Sequence, residues 1–297
     1  MKTYTQCPIC ESSMFNKFLI CKDNTGSDKS FTVVKCAACD FAFTNPIPLE
    51  SEIGKYYESD EYISHSNTSK GLVNFLYQKV RNNTLDQKVN LLKKLSTGNK
   101  LLDIGCGTGE FLGRSKQHGF KVEGIEPSES AKQQAVTNFS LSVNGEEHLK
   151  TLKSSSYDYI TMWHVLEHVY HLNDRMAELR RLIKDDGHII IAVPNLKSLD
   201  ALKYKEHWAA YDVPRHLYHF SERDIKALAT KHGLTVSQTL PMKFDSYYVS
   251  LLSEKYKNGK QKLISAFFAG LKSNTTAPSK GGFSSQIYVI KTAKQAI

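Results

Sequence analysis

No stretch of this chain is apolar for the roughly 20 residues that a membrane-crossing helix needs. Its densest apolar run, ISAFFAGL (264–271), falls far short. The opening MKTYTQCPIC holds no apolar run of signal-peptide length, so a cytoplasmic chain with no membrane span is expected. In that reducing compartment disulfides are not expected. Internal repeats and low-complexity tracts are missing too. Acidic residues are scarce in one place. From Lys243 to the end there are nine lysines, no arginine, and only Asp245 and Glu254. Most of the formal +9 charge therefore sits in that segment. A solvated lysine face would explain it, as would attraction of a phosphorylated substrate, RNA or an anionic membrane. The remaining composition, 40% hydrophobic over 297 residues, suits one large domain and an accessory piece.

Cysteine is also sparse, but four of the six form two pairs, CPIC (Cys7, Cys10) and CAAC (Cys36, Cys39), with 25 residues between them. A C-x2-C turn sets two thiolates on one side of a tight loop, and two such turns complete a tetrahedral S4 site for zinc. Residues 1–48 are thus expected to form a zinc-ribbon-like module, with SFTVVKC supplying a short strand. Four protein ligands leave no position for a catalytic water, so this Zn2+ would be structural. Cys21 is assigned nothing. Pro46 and Pro48 break regular structure. Residues 49–98 then read as a helical connector, with apolar positions from Leu72 through Val89 and Leu92.

The strongest signal is KLLDIGCGTGEFL. An apolar strand, Leu101 to Ile104, runs into Gly105, Gly107 and Gly109, and a helix follows. Glycines let the backbone turn sharply and lie against a ligand. Glu110 stands where the dinucleotide fingerprint needs its third glycine, which argues against a pyrophosphate turn. A second strand, FKVEGIE, ends 21 residues past Gly105 in Glu126, a carboxylate suited to two ribose hydroxyls.

With VEGIEPS and YDYITMWHVLEHV added, the chain resembles the class I S-adenosylmethionine-dependent methyltransferases. It is most similar to the small-molecule branch with ubiquinone-type O-methyltransferases and sugar C-methyltransferases. The resemblance covers about residues 99–242 and the last strand. It implies an α/β fold: a seven-stranded Rossmann-like sheet flanked by helices, its last pair antiparallel, over residues 99–297. Gly105, Gly107 and Gly109 would cradle the methionine part of S-adenosylmethionine, and Asp103 would orient its amino group. Glu126 would hold the ribose. Glu146, or failing it Glu147, would lie near the adenine, and Trp163 and His164 beside the sulfonium.

Two long insertions, residues 196–220 and 243–282, would form a substrate roof or helical lid. The second reads as two amphipathic helices split at Asn258-Gly259, fit to cover the pocket, form a homodimer or touch a membrane. HVLEH matches H-x-x-E-H, a zinc-peptidase pattern, but the methyltransferase framework already accounts for it. An oxygen or carbon acceptor must lose a proton, and histidine suits that at neutral pH. His164, His216 and His219 are the candidate bases. Arg215 and Asp212 either pair or bind a substrate carboxylate or phosphate. The expected function is methyl transfer to a small hydroxylated or sugar-like metabolite, with an anionic or phosphorylated one allowed by the basic segment. An RNA methyltransferase using the zinc ribbon and basic segment is the alternative. It is disfavoured because MWHVLEH lacks the Asn/Asp-Pro-Pro-aromatic clamp used on base amines. A non-catalytic cofactor-binding protein is the third reading.

Overall fold

The computed structural model describes residues 1–57, 72–260 and 262–293. Three strands, β1 (Phe15–Lys22), β2 (Ser30–Cys36) and β3 (Ala42–Thr44), make an antiparallel meander. A helix, α1 (Leu72–Leu95), leads into the main sheet, burying Val89 and Leu92 completely.

That sheet has seven strands: β4 (Lys100–Ile104), β5 (Lys121–Ile125), β6 (Val143–Asn144), β7 (Tyr157–Trp163), β8 (Ile183–Pro194), β10 (Leu234–Pro241) and β11 (Ser285–Thr292). Their order is β10-β11-β8-β7-β4-β5-β6, and β11 runs antiparallel to both neighbours. The expected Rossmann-like sheet with an antiparallel last pair is what the chain builds. Helices cover both faces of a parallel sheet, so its strands read as unbroken apolar runs. In KLLDI the last four residues are all buried. The covering helices include α2 (Glu110–Gln117), α3 (Glu129–Phe139), α4 (Leu172–Leu182) and α6 (Glu222–Lys231). Helix α6 starts as its sequence implies. Ser221 is the N-cap, and Asp224 accepts its backbone N–H at 2.8 Å and its hydroxyl at 2.6 Å.

The two sheets share chain. Strand β9 (Tyr218–His219), at the end of the 196–220 insertion, pairs antiparallel with β3 as the fourth strand of the N-terminal sheet. Phe41 and Phe43 therefore pack in one core with Tyr218, Phe220, Ile160 and Met162. The insertion also holds α5 (Leu199–Tyr204). The 243–282 insertion is the expected pair of helices, α7 (Asp245–Asn258) and α8 (Leu263–Thr276), broken at Gly259 with φ +71°. Among the described residues, no helix is long and apolar enough to cross a membrane.

Candidate active site

Strand order reverses at β4, which has β5 on one side and β7 on the other. A crevice opens at the carboxyl ends of the strands flanking such a point, and ligands bind there. Gly105 turns the chain out of β4 at φ +72°, where a Cβ would meet Val165 at 2.4 Å. Gly107, at φ +55°, has nothing within 4 Å of its Cβ direction, so a ligand can lie against its backbone. The buried Glu126 carboxylate accepts from the N–H of Gly107 at 2.8 Å and of Ser128 at 2.9 Å. The loop after β4 and the carboxylate after β5 are thus locked together. Asp103 accepts the Thr161 hydroxyl at 2.5 Å, and burial pushes its carboxyl up to about 7.

A lysine completes this crevice, and sequence reasoning missed it. Lys88 of α1 places its ammonium 4.1 Å from the Trp163 ring centroid. Burial lowers its pKa, against the opposing fields of Asp103 and Asp245. The signal was present: Lys88 lies three residues after Leu85 and four before Leu92, inside the apolar stripe of its helix. Trp163 also packs edge-on to Phe111 at 5.4 Å, and its buried indole N–H has no hydrogen-bond partner among the described residues. The Lys88 Nζ thus lies over an aromatic face and in the fields of two acidic side chains. That environment fits a sulfonium and an ammonium.

His164 leaves β7 at φ +57°. Its Nδ1 lies 3.3 Å from Glu167 and its Nε2 3.0 Å from Asp245 of α7. Although burial opposes it, the two carboxylates raise the imidazole to about 10, so His164 is an imidazolium at neutral pH. His168 goes elsewhere. Its Nδ1 contacts the Tyr57 hydroxyl at 2.9 Å and the Arg215 carbonyl at 3.1 Å. The two histidines of HVLEH therefore do not converge as a metal pair.

The strap YDVPRHLYHF is buried nearly throughout. His216 Nδ1 lies 2.8 Å from the Ala210 carbonyl, which can only accept, so Nδ1 donates there. Its ring meets His168 edge-on at 4.6 Å. Asp212 lies 3.9 Å from Nε2. His219 instead contacts the Thr44 hydroxyl at 3.1 Å and packs on Tyr211, three percent exposed. The structure brings His164, His168 and His216 together through Glu167, and sets His219 apart in the N-terminal sheet. Arg215 pairs with Asp212, and also with Asp23 across 192 positions.

These environments set an acid limit. Burial lowers His168 to about 4 and His219 to about 3, below their unfolded value near 6.5. The stability each contributes is present above pH 6.5 and is lost as pH falls toward 4. Thermal melts should show Tm dropping steeply over that window. His219→Gln should flatten the drop, and an unchanged slope would remove His219 from the explanation.

Glu146 sits in a 3-10 turn after β6 and is ion-paired with Arg175 of α4. In the N-terminal module Cys7 Sγ lies 3.6 Å from Cys39 and Cys10 Sγ 3.4 Å from Cys36, and all four sulfurs fall within 4.8 Å of one another. The two turns match. The Cys7 and Cys36 carbonyls each accept the N–H four residues on, at 2.9 Å, from Glu11 and Asp40 at φ +65° and +60°. Cys21 is buried apart from them.

A family model described as a methyltransferase domain matches residues 77–239. The chain belongs to that family. This methyltransferase domain is 27% identical over 124 residues to the ubiquinone biosynthesis O-methyltransferase of Acinetobacter baumannii strain AYE, covering 39% of the chain and 51% of that protein. Its identity to the Haemophilus ducreyi protein of the same description is 31% over 132 residues, 40% of the chain and 54% of that protein. The chain thus spans about half the length of the curated relatives it matches. Among solved structures it is similar to magnesium protoporphyrin IX methyltransferase of Synechocystis PCC 6803 with bound SAH. That match has a TM-score of 0.53 and 16% identity, covering 82% of the chain and all of that structure, a likeness of fold.

Proposed function

We propose that the chain methylates a hydroxyl of a small, sugar-like or phenolic metabolite, using S-adenosylmethionine as donor. The observation that carries this is the contiguity of the crevice beside Trp163 with the His216 imidazole, whose Nδ1 is held by the Ala210 carbonyl and whose Nε2 lies 3.9 Å from Asp212. Trp163, His164, Glu167, His168 and His216 form one connected series from the crevice to the strap. When bound, the donor supplies an electrophilic methyl on a sulfonium, already activated for in-line displacement. Glu126 holds the ribose, Asp103 the amino group, and the Gly105–Gly109 loop the methionine part. Glu146 and its Arg175 partner flank the adenine. Trp163 gives the sulfonium an aromatic face. His216 Nε2 takes the acceptor's proton, and Asp212 stabilises the imidazolium that forms. His164 is already charged, so its role is to tie the α7 roof to the site through Asp245. His219 serves the sheet. The exposed lysines favour an anionic or phosphorylated acceptor.

Release of S-adenosylhomocysteine against panels of sugar nucleotides, phenols and RNA tests the reading. Turnover on RNA, with binding that weakens steeply in salt, would favour the alternative substrate. Glu126→Ala should weaken donor binding by about 1–3 kcal/mol with the fold intact. Calorimetry showing unchanged affinity would remove Glu126 from the ribose.

We further infer a structural zinc on Cys7, Cys10, Cys36 and Cys39. Thiolates at about 2.3 Å from zinc stand roughly 3.8 Å apart in a tetrahedron, close to the spacing seen. Elemental analysis should find one zinc per chain, and Cys36→Ser should lose it together with several degrees of Tm. Zinc retained by that variant would count against the site.

A further inference from the structure

Helix α8 is built inside out. The residues it buries are small: Ala266, Ala269, Gly270 and Ser273. They bring it so close to α7 that a Cβ on Gly270 would meet the Tyr247 backbone at 3.0 Å. Ser273 donates to Asp200 of α5 at 2.7 Å, which fixes the helix's rotation. Its large apolar residues face water. Leu263, Ile264, Phe267, Phe268 and Leu271 are 66%, 76%, 53%, 61% and 37% exposed. Ile264, Phe267, Phe268 and Leu271 fall at i, i+3, i+4 and i+7, with Leu263 beside them, and form one stripe. Single exposed apolar residues are ordinary, whereas a contiguous stripe marks an interaction surface.

Charge identifies what the stripe meets. Lys260 and Lys262 precede the helix, Lys272 stands one turn after Phe268, and Lys257 and Lys280 are also exposed. Among the described residues none of these five is ion-paired with a carboxylate. The segment's two acids are turned inward: Asp245 binds His164, and Glu254 accepts from Tyr204 at 3.1 Å and Ser265 at 2.7 Å. We infer that α8 lies flat on an anionic lipid bilayer, with Ile264, Phe267 and Phe268 at the acyl boundary and the lysines over headgroup phosphates. Lysine stems suit this, because they run along apolar surface while the ammonium stays with water and phosphate. At 14 residues the helix spans about 21 Å, too short to cross a bilayer. A second copy is a poorer occupant, because it would face one lysine-rimmed surface with another. The surface stands independently of the methyl-transfer reading. If both hold, Asp245 of α7 links the docked helices to His164, and the acceptor is met at the lipid surface.

The test is co-sedimentation of the full chain with sucrose-loaded vesicles of phosphatidylcholine, with or without phosphatidylglycerol. The chain should pellet with the anionic vesicles, at least about tenfold more tightly than with phosphatidylcholine alone, and high salt should release it. Phe267→Ser with Phe268→Ser, and separately Lys260→Glu, Lys262→Glu and Lys272→Glu together, should each weaken binding about tenfold or more. The lysine variant leaves the helix packing untouched, so its loss of binding cannot be ascribed to misfolding. No affinity for either vesicle overturns the proposal. So does equal binding to both by wild type and lysine variant. A dimer in analytical ultracentrifugation that the phenylalanine variant converts to monomer assigns the stripe to a second copy and overturns it too.

Discussion

Arg215→Ala should destabilise the protein by about 3–5 kcal/mol, the range for breaking a buried ion pair from one side. The guanidinium is one percent exposed. Its Nε donates to Asp212 at 3.0 Å, Nη1 to the Tyr56 carbonyl at 2.8 Å, and Nη2 to Asp23 at 2.9 Å. Asp23 belongs to the turn between β1 and β2, where it also accepts the Ser27 N–H at 2.9 Å. Its side chain is fully buried, so without Arg215 its charge has neither water nor cation. Arg215→Lys should recover only part of the loss, because one ammonium cannot serve two carboxylates and a carbonyl in fixed directions. Urea unfolding with zinc held constant would measure both. A cost below about 1 kcal/mol for the alanine variant, typical of an exposed pair, would mean that Arg215 does not join the N-terminal module to the strap.

How far the residues announced this depends on the distance over which the physics acts. The main sheet was legible because each element is local: KLLDI before the glycines, the alternating and continuous apolar runs, and Ser221 with Asp224 three residues on. The placement of Glu126 against the glycine loop was legible because a carboxylate at a strand's end has one geometric opportunity, the neighbouring loop. The cysteine pairs were legible because their spacing is itself the geometry. Arg215 was only half legible. Asp212 is three residues away, but Asp23 arrives through a strand pairing, β3 with β9, that no periodicity in a two-residue strand can signal. His164 was half legible for the same reason. Its sequence neighbours describe a sheet-edge histidine, and its contact with Asp245, 81 positions on, cannot be read from them. Lys88 could be read as a polar residue interrupting an apolar stripe, but its partners lie on β4, β7 and α7.

His216→Asn should lower kcat by about 10²- to 10⁴-fold, the usual contribution of a positioned general base. Asparagine is the informative replacement. Its amide nitrogen can still donate to the Ala210 carbonyl, as Nδ1 does now, so the strap keeps its conformation while the basic Nε2 is lost. Donor affinity should be unchanged, since Glu126, Gly107 and Lys88 are untouched. Two companions separate catalysis from support. His219→Asn removes the Thr44 contact and should lower Tm while turnover stays within a few-fold. His164→Asn replaces an imidazolium that holds Asp245 and Glu167, and leaves Glu167 as a buried carboxylate without its counter-charge. That variant should lose stability, most clearly near and below pH 6.5, with the loss shrinking as pH rises toward 10. A histidine raised to about 10 contributes fully below its unfolded value near 6.5, and that contribution fades as pH rises toward 10. Wild-type protein should therefore converge on the His164 variant in alkaline melts. If His216→Asn keeps full turnover while His164→Asn loses it with Tm intact, the proton leaves through the crevice side of the site, and the strap is only its wall.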